Sequence, residues 1–146
     1  MKAVHLIGRI LFGGFFLYNG VNHLMRRREI GQYAGSKGIP MPETSVELSG
    51  ILLLIGGTSV ILGLKPQLGA AALVAFLAGV SPTMHDFWSA EDPQQKQNQM
   101  IHFMKNLALL GAALALMGSK EPWPVSIPLG QKKPSPLESV WRALAA

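Results

Sequence analysis

Four apolar stretches separated by short polar ones organise this chain, and their length sets the reading. A hydrocarbon layer about 30 Å thick needs roughly 20 helical residues at about 1.5 Å each. Stretches of that order run from Val4 to Leu24, Ser45 to Leu64, Gln67 to Phe87 and Met100 to Met117. Ile51 to Leu64 carries only Thr58 and Ser59 as polar side chains. A soluble bundle would instead show a polar stripe on every helix, so the pattern predicts membrane helices. The first stretch also has the position of a signal peptide, but Arg9 interrupts it and no small-x-small cleavage site follows. Only Leu64-Lys65-Pro66 separates the second and third spans, which forces an antiparallel hairpin. The expected fold is an all-α membrane protein, a four-transmembrane-helix antiparallel bundle over residues 1–118, with a proline-rich tail over 119–146.

The connections add detail. Loop one, Met25 to Glu43, carries Arg26, Arg27 and Arg28, and its Ile30 to Ala34 suits the membrane interface. Thr44-x-x-Glu47 fits a capping box at the start of the second span. Loop three, Trp88 to Gln99, reads as a solvated connection with Trp88 as an interfacial anchor. In the tail, Ser135 with Pro136 and Glu138 reads as a helix start. Leu137, Val140, Trp141 and Leu144 then share one face of a short amphipathic helix, suited to the membrane surface or to docking on another subunit.

Composition agrees. Apolar residues make up 49% of the chain and charged residues 14%, against about 25% charged in a typical soluble domain. The absence of cysteine removes disulfides, thiolate metal sites and dithiol redox chemistry. The net charge of +5 suits anionic headgroups rather than nucleic acid, because no aromatic-interleaved basic stripe accompanies it. Near the membrane, Lys2, Lys65, Lys120, Lys132 and Lys133 on one side balance Arg26, Arg27, Arg28, Lys37 and Lys96 on the other, so charge does not set the orientation.

With four spans, both chain ends share one side of the membrane, here side one. The polar residues within the spans gather at the opposite face, side two: Asn19, Asn22 and His23 end the first span, Glu47 begins the second, His85 and Asp86 end the third, and His102, Lys105 and Asn106 begin the fourth. The two triplets have i, i+3, i+4 spacing, so each shares a helix face. An ion inside a span favours a partner, and Glu47 is the expected partner of Lys105 in an inward cluster with His85 and Asn106. Each residue also has a plainer role: Glu47 as part of its capping box, Lys105 snorkelling to headgroups, and His23 and His102 as interfacial residues. The three histidines lack a pairwise ligand spacing such as H-x-x-x-H, so no metal site is assigned. Arg9 alone lies at comparable depth near side one.

Several short motifs, in order, resemble the DoxX family of small four-helix bacterial membrane proteins. They are Gly8-Arg9-Ile10-Leu11, Gly38-Ile39-Pro40, Glu47-Leu48-Ser49-Gly50, Gly56-Gly57, Leu62-Gly63, His85-Asp86-Phe87-Trp88 and Lys105-Asn106-Leu107-Ala108-Leu109-Leu110-Gly111, together spanning about residues 5 to 117. The resemblance implies a bundle in the bacterial cytoplasmic (inner) membrane and an association with redox systems, the family being named for a small subunit of a terminal quinol oxidase. Among polar positions it matches Arg9, Glu47, His85, Lys105 and Asn106.

Three functions are therefore expected in this order. The first is a small membrane subunit of a redox or electron-transfer complex, itself without catalytic residues, held by other membrane subunits partly through the tail. The second is a protein binding a quinone or a lipid headgroup through Glu47, His85, Lys105, Asn106, His102, Asn19 and His23, with Arg9, Arg26, Arg27 and Arg28 in structural or headgroup roles. The third is a transporter subunit, ranked last because the spans show no inverted repeat.

Overall fold

The computed structural model describes residues 1–127 and is helical throughout its regular elements. Helix α1 covers Lys2–Met25, α2 Arg27–Ser36, α3 Pro42–Leu62, α4 Pro66–Met84 and α5 Pro93–Met117, with a 3-10 turn at Phe87–Ser89 between the last two. Four of these, α1, α3, α4 with its 3-10 extension, and α5, are long and apolar enough to cross a membrane. The four-helix membrane architecture expected from hydropathy is the one found. The tail helix expected around Ser135 to Leu144 lies outside the described residues.

The helices pack as a sequence of neighbours: α1 on α3, α3 on α4, and α4 on α5. No comparably close backbone packing joins α1 to α5 or α3 to α5 among the described residues. The core between them holds Phe16 of α1, Leu53 and Val60 of α3, and Leu73 and Leu77 of α4, closed on side one by Trp123.

Close approach rests on glycine. A Cβ on Gly57 would lie 2.8 Å from the carbonyl oxygen of Gly13, and one on Gly13 would lie 2.8 Å from that of Gly57. Lipid supplies no hydrophobic drive between helices, so this backbone contact carries much of the α1–α3 attraction.

Helix boundaries depart from expectation in three places. The Thr44–Glu47 capping box does not form: α3 starts earlier, at Pro42, behind a left-handed Met41, and no side chain caps it. Proline presets the first-turn dihedral, so Pro42 rather than Thr44 begins the helix. Loop three is largely helix, because Asp92 accepts a hydrogen bond from the Gln95 amide (2.7 Å) and Pro93 opens α5 about two turns before Met100. The interfacial segment of loop one extends beyond Ile30 to Ala34 into the ten-residue α2, which packs on α3 through Gly31 and Ala34. On side one, α3 ends in a left-handed Gly63 (φ 68°), where the Leu64 amide reaches back to the Ser59 carbonyl at 3.1 Å.

The glycine contact makes a direct prediction. Gly57→Val should destabilise the protein by about 1–3 kcal/mol through overpacking. Gly111→Ala, where a Cβ meets nothing within 4 Å, should leave the thermal midpoint unchanged or raise it. Thermal unfolding of both variants in the same detergent compares them, and equal midpoints would contradict the packing account.

Candidate functional site

The polar residues of side two are positioned by α2, the foot of α3, the end of α4 and the start of α5. His85 follows the last turn of α4, where Pro82 has already removed one backbone donor. Its Nδ1 lies 2.8 Å from Gln99 Oε1 on α5. The Gln99 amide donates to the Tyr33 hydroxyl of α2 (2.8 Å), which in turn donates to the Met84 carbonyl (3.1 Å). His102 stacks on His85 with ring centroids 5.2 Å apart. Beside this chain of hydrogen bonds, Lys37 forms an ion pair with Asp86; the two side chains are only 21% and 23% exposed. That carboxylate holds the Lys37 ammonium above its ordinary pKa.

The expected cluster therefore divides. Glu47 does not meet Lys105. It pairs with Arg27 of α2 at 3.0 Å, with both side chains about half exposed. The reason is helix order: α4 separates α3 from α5, while α2 crosses the foot of α3 and brings Arg27 within reach. Lys105 is exposed, with its ammonium 5.6 Å from the centre of the Phe15 ring across the α1–α5 seam. Asn106 is buried at 7% exposure. His23 is half-buried, with Nδ1 2.8 Å from the Ser49 hydroxyl and its ring against Phe76. Asn19 turns back to the Phe15 carbonyl of its own helix (2.7 Å). Arg26 pairs with Glu29 one turn on, and Arg28 is exposed.

Arg9 is the most fully engaged of the charged residues. It is 1% exposed. Nε donates to the Val60 carbonyl (2.8 Å), one terminal nitrogen to Ile61, and the other to Pro124 (2.6 Å) and Val125 (3.3 Å). Val60 and Ile61 belong to the last turn of α3, whose carbonyls have no partner within the helix, and a cation there also meets the negative end of the helix dipole. The Trp123 ring lies 5.6 Å from the guanidinium centre. Arg9 therefore joins three parts of the chain: α1, the end of α3, and the segment after α5.

Sequence reasoning missed Tyr33, Gln99, Lys37 and Ser49. The first two were recoverable. With Asp92-Pro93 read as a helix start, Gln99, His102 and Asn106 fall on one face of α5. A helical period over 27–36 places Tyr33 beside the buried Ala34. The Lys37–Asp86 and His23–Ser49 pairings are tertiary and leave no local signal.

Among the described residues, no group of three or more His, Cys, Asp or Glu is placed to hold a metal ion. The arrangement can donate and accept hydrogen bonds at a membrane face, with His102 and Lys105 turned outward.

Four spanning helices, an interfacial helix after the first, and polar groups concentrated where that helix meets α4 and α5 define a small polytopic membrane protein. The chain belongs to the DoxX family, whose model matches residues 4–86. It is similar to the inner membrane protein YphA of Escherichia coli (strain K12), with 27% identity over 111 residues, 76% of this chain and 79% of that protein. No solved structure matches it at a significant level. It is a multi-pass protein of the bacterial inner membrane, its spans in contact with lipid.

Replacing Arg9 tests its central position. Arg9→Met leaves carbonyls of α3 and of residues 124–125 without donors inside the protein and should cost about 3 kcal/mol or more. Arg9→Lys, with one compact ammonium in place of a planar fork, should restore only part of that. Thermal unfolding measures the loss, and limited proteolysis should show faster cutting between Gly118 and Ile127 in Arg9→Met. Unchanged cutting would disprove the tether.

Proposed function

We propose that this DoxX protein is a non-catalytic subunit that assembles with other membrane proteins of a redox or electron-transfer system. The outer face of α5 carries the proposal. Met104, Leu107, Leu114 and Met117 are all exposed there, and only Asn106 and Ala113 of that helix are buried. Gly111 on the same helix faces open space, which would let a partner helix approach closely. Most charged or polar groups of the side-two region are already engaged in pairs that hold helices together: Arg27–Glu47, Lys37–Asp86, His23–Ser49 and His85–Gln99. That use favours a scaffold over a reaction centre. The redox character of the assembly follows the family resemblance, and the proline-rich segment over 119–146 is a second proposed docking element.

The absence of cysteine makes the test specific, since any introduced thiol is unique. Leu114→Cys carrying a photoactivatable crosslinker should, in native membranes, yield an adduct with a membrane subunit of an oxidoreductase. Adducts with lipid alone, or with a second copy of this chain alone, would sink the proposal.

A second reading is favoured by His102 and Lys105. Both are exposed, one turn apart on α5, and neither makes a hydrogen bond or ion pair among the described residues. They supply donors for a quinone carbonyl or a lipid phosphate at the α1–α5 seam, where an apolar tail could follow the helices. Lys105→Ala should weaken retention of an added quinone by about tenfold, the loss of one charge-assisted hydrogen bond. Glu47→Gln, remote from that seam, should leave it unchanged. Equal effects of the two substitutions, measured by equilibrium binding in detergent, would rule out this site.

A further inference from the structure

A half-open groove of about 880 Å³ lies on side one, between the α3–α4 turn and residues 121–127. Its walls descend from the turn along two spanning helices. Ile55 of α3 and Leu68 of α4 line it and are 62% and 66% exposed, and Ala72 lies one turn below Leu68. Ile55 is about two helical turns, roughly 10 Å, below the end of α3. The lower part of the groove is thus apolar and open at the depth of hydrocarbon. Trp123, buried against Arg9, forms the inner wall.

The rim has a different chemistry. Lys65 and Glu121 both line it and both are exposed. They form no ion pair with each other or with any other described residue. One Glu121 oxygen accepts weakly from the Gln67 amide at 3.4 Å, which holds the carboxylate at the mouth. Lys65 is held by its place in the turn, in a left-handed conformation (φ 45°) immediately before Pro66.

We propose that this groove binds a zwitterionic phospholipid with a primary ammonium in its headgroup, that is, an ethanolamine phospholipid. An acyl chain lies along Ile55, Leu68 and Ala72. The phosphate meets Lys65, and the headgroup ammonium donates to Glu121. Charge complementarity selects this occupant. An anionic glycerol headgroup offers Glu121 no cation, and a choline headgroup carries no N–H to donate. A soluble zwitterion would leave the apolar lower groove unfilled.

The test uses the full-length protein in lipid nanodiscs containing equal amounts of ethanolamine, glycerol and choline phospholipids, followed by native mass spectrometry of retained lipid. The ethanolamine lipid should dominate the adducts. Glu121→Gln should lower its retention roughly two- to fivefold, the range expected for one exposed ion pair, and should raise the share of the glycerol lipid. Lys65→Asn, which tolerates the left-handed backbone, should lower retention of all three phospholipids, since each carries the phosphate. Ala72→Trp should fill the groove and remove the adduct while the thermal midpoint is kept. Lys105→Ala should leave it unchanged, which separates this site from side two. Equal retention of the three lipids, or no response to Glu121→Gln, would overturn the proposal. So would a wild-type protein free of lipid in which Ala72→Trp speeds proteolysis beyond Ile127, because the groove would then hold the chain's own tail.

Discussion

The guanidinium of Arg9 holds together the end of the molecule where backbone would otherwise face lipid without partners. In a bilayer an unpaired carbonyl costs several kcal/mol, and only regular helix or a side-chain donor relieves it. The last turn of α3 leaves such carbonyls free, and so does the irregular segment after α5. Arg9 donates to both sets at once, through Val60 and Ile61 on one side and Pro124 and Val125 on the other. The charge is expensive to bury alone, but here each of its nitrogens has an acceptor and the α3 dipole points its negative end toward it. Trp123 is thereby held at 3% exposure beneath the bundle, and the Ile127 amide bonds to the Leu62 carbonyl at 3.0 Å.

Everything on side two follows from the order in which the helices pack. Glycine contacts bring α1 against α3 at van der Waals distance, and the short Gly63-Leu64-Lys65 turn brings α4 against α3. The fourth span then reaches the others mainly through α4. Glu47 and Lys105 begin the second and fourth spans on the same side of the membrane, but α3 and α5 have no close backbone packing among the described residues. Each finds the nearest group of suitable chemistry instead: Arg27 for Glu47, and the face of Phe15 for Lys105.

The spans were legible in the sequence because each is a near-continuous apolar run whose length is dictated by the bilayer. The side of the membrane on which His85, His102, Lys105 and Asn106 gather was legible too, since it needs only alternating helix direction. Partner choice was not. Hydropathy is silent on whether α3 lies beside α5, and that adjacency decides whether Glu47 can reach Lys105. Arg9 shows the same boundary from the other direction. Its position within an apolar run marked it as unusual, yet its acceptors are backbone carbonyls, which any sequence supplies and none advertises. The start of α5 was a different kind of miss: Asp92-Pro93 is a readable helix signal, hidden by the polar composition of the turns that follow it.

Separate ends of the bundle now carry separate constraints. On side one a cation satisfies backbone, and replacing it disturbs three segments together. On side two the pairs are side chain to side chain, partly exposed, and distributed over all five helices and the segments next to them, so each is worth less and is more easily exchanged. A face held by several modest interactions can adjust to a neighbour in a way that the Arg9 end cannot. The α1–α5 seam adds to this freedom, because Lys105 over Phe15 closes it by a cation–aromatic contact rather than by interlocked backbone. On side two, the physical cost of accommodating a partner helix or a headgroup is lowest along α5 and at that seam, where the fold has invested least in its own packing.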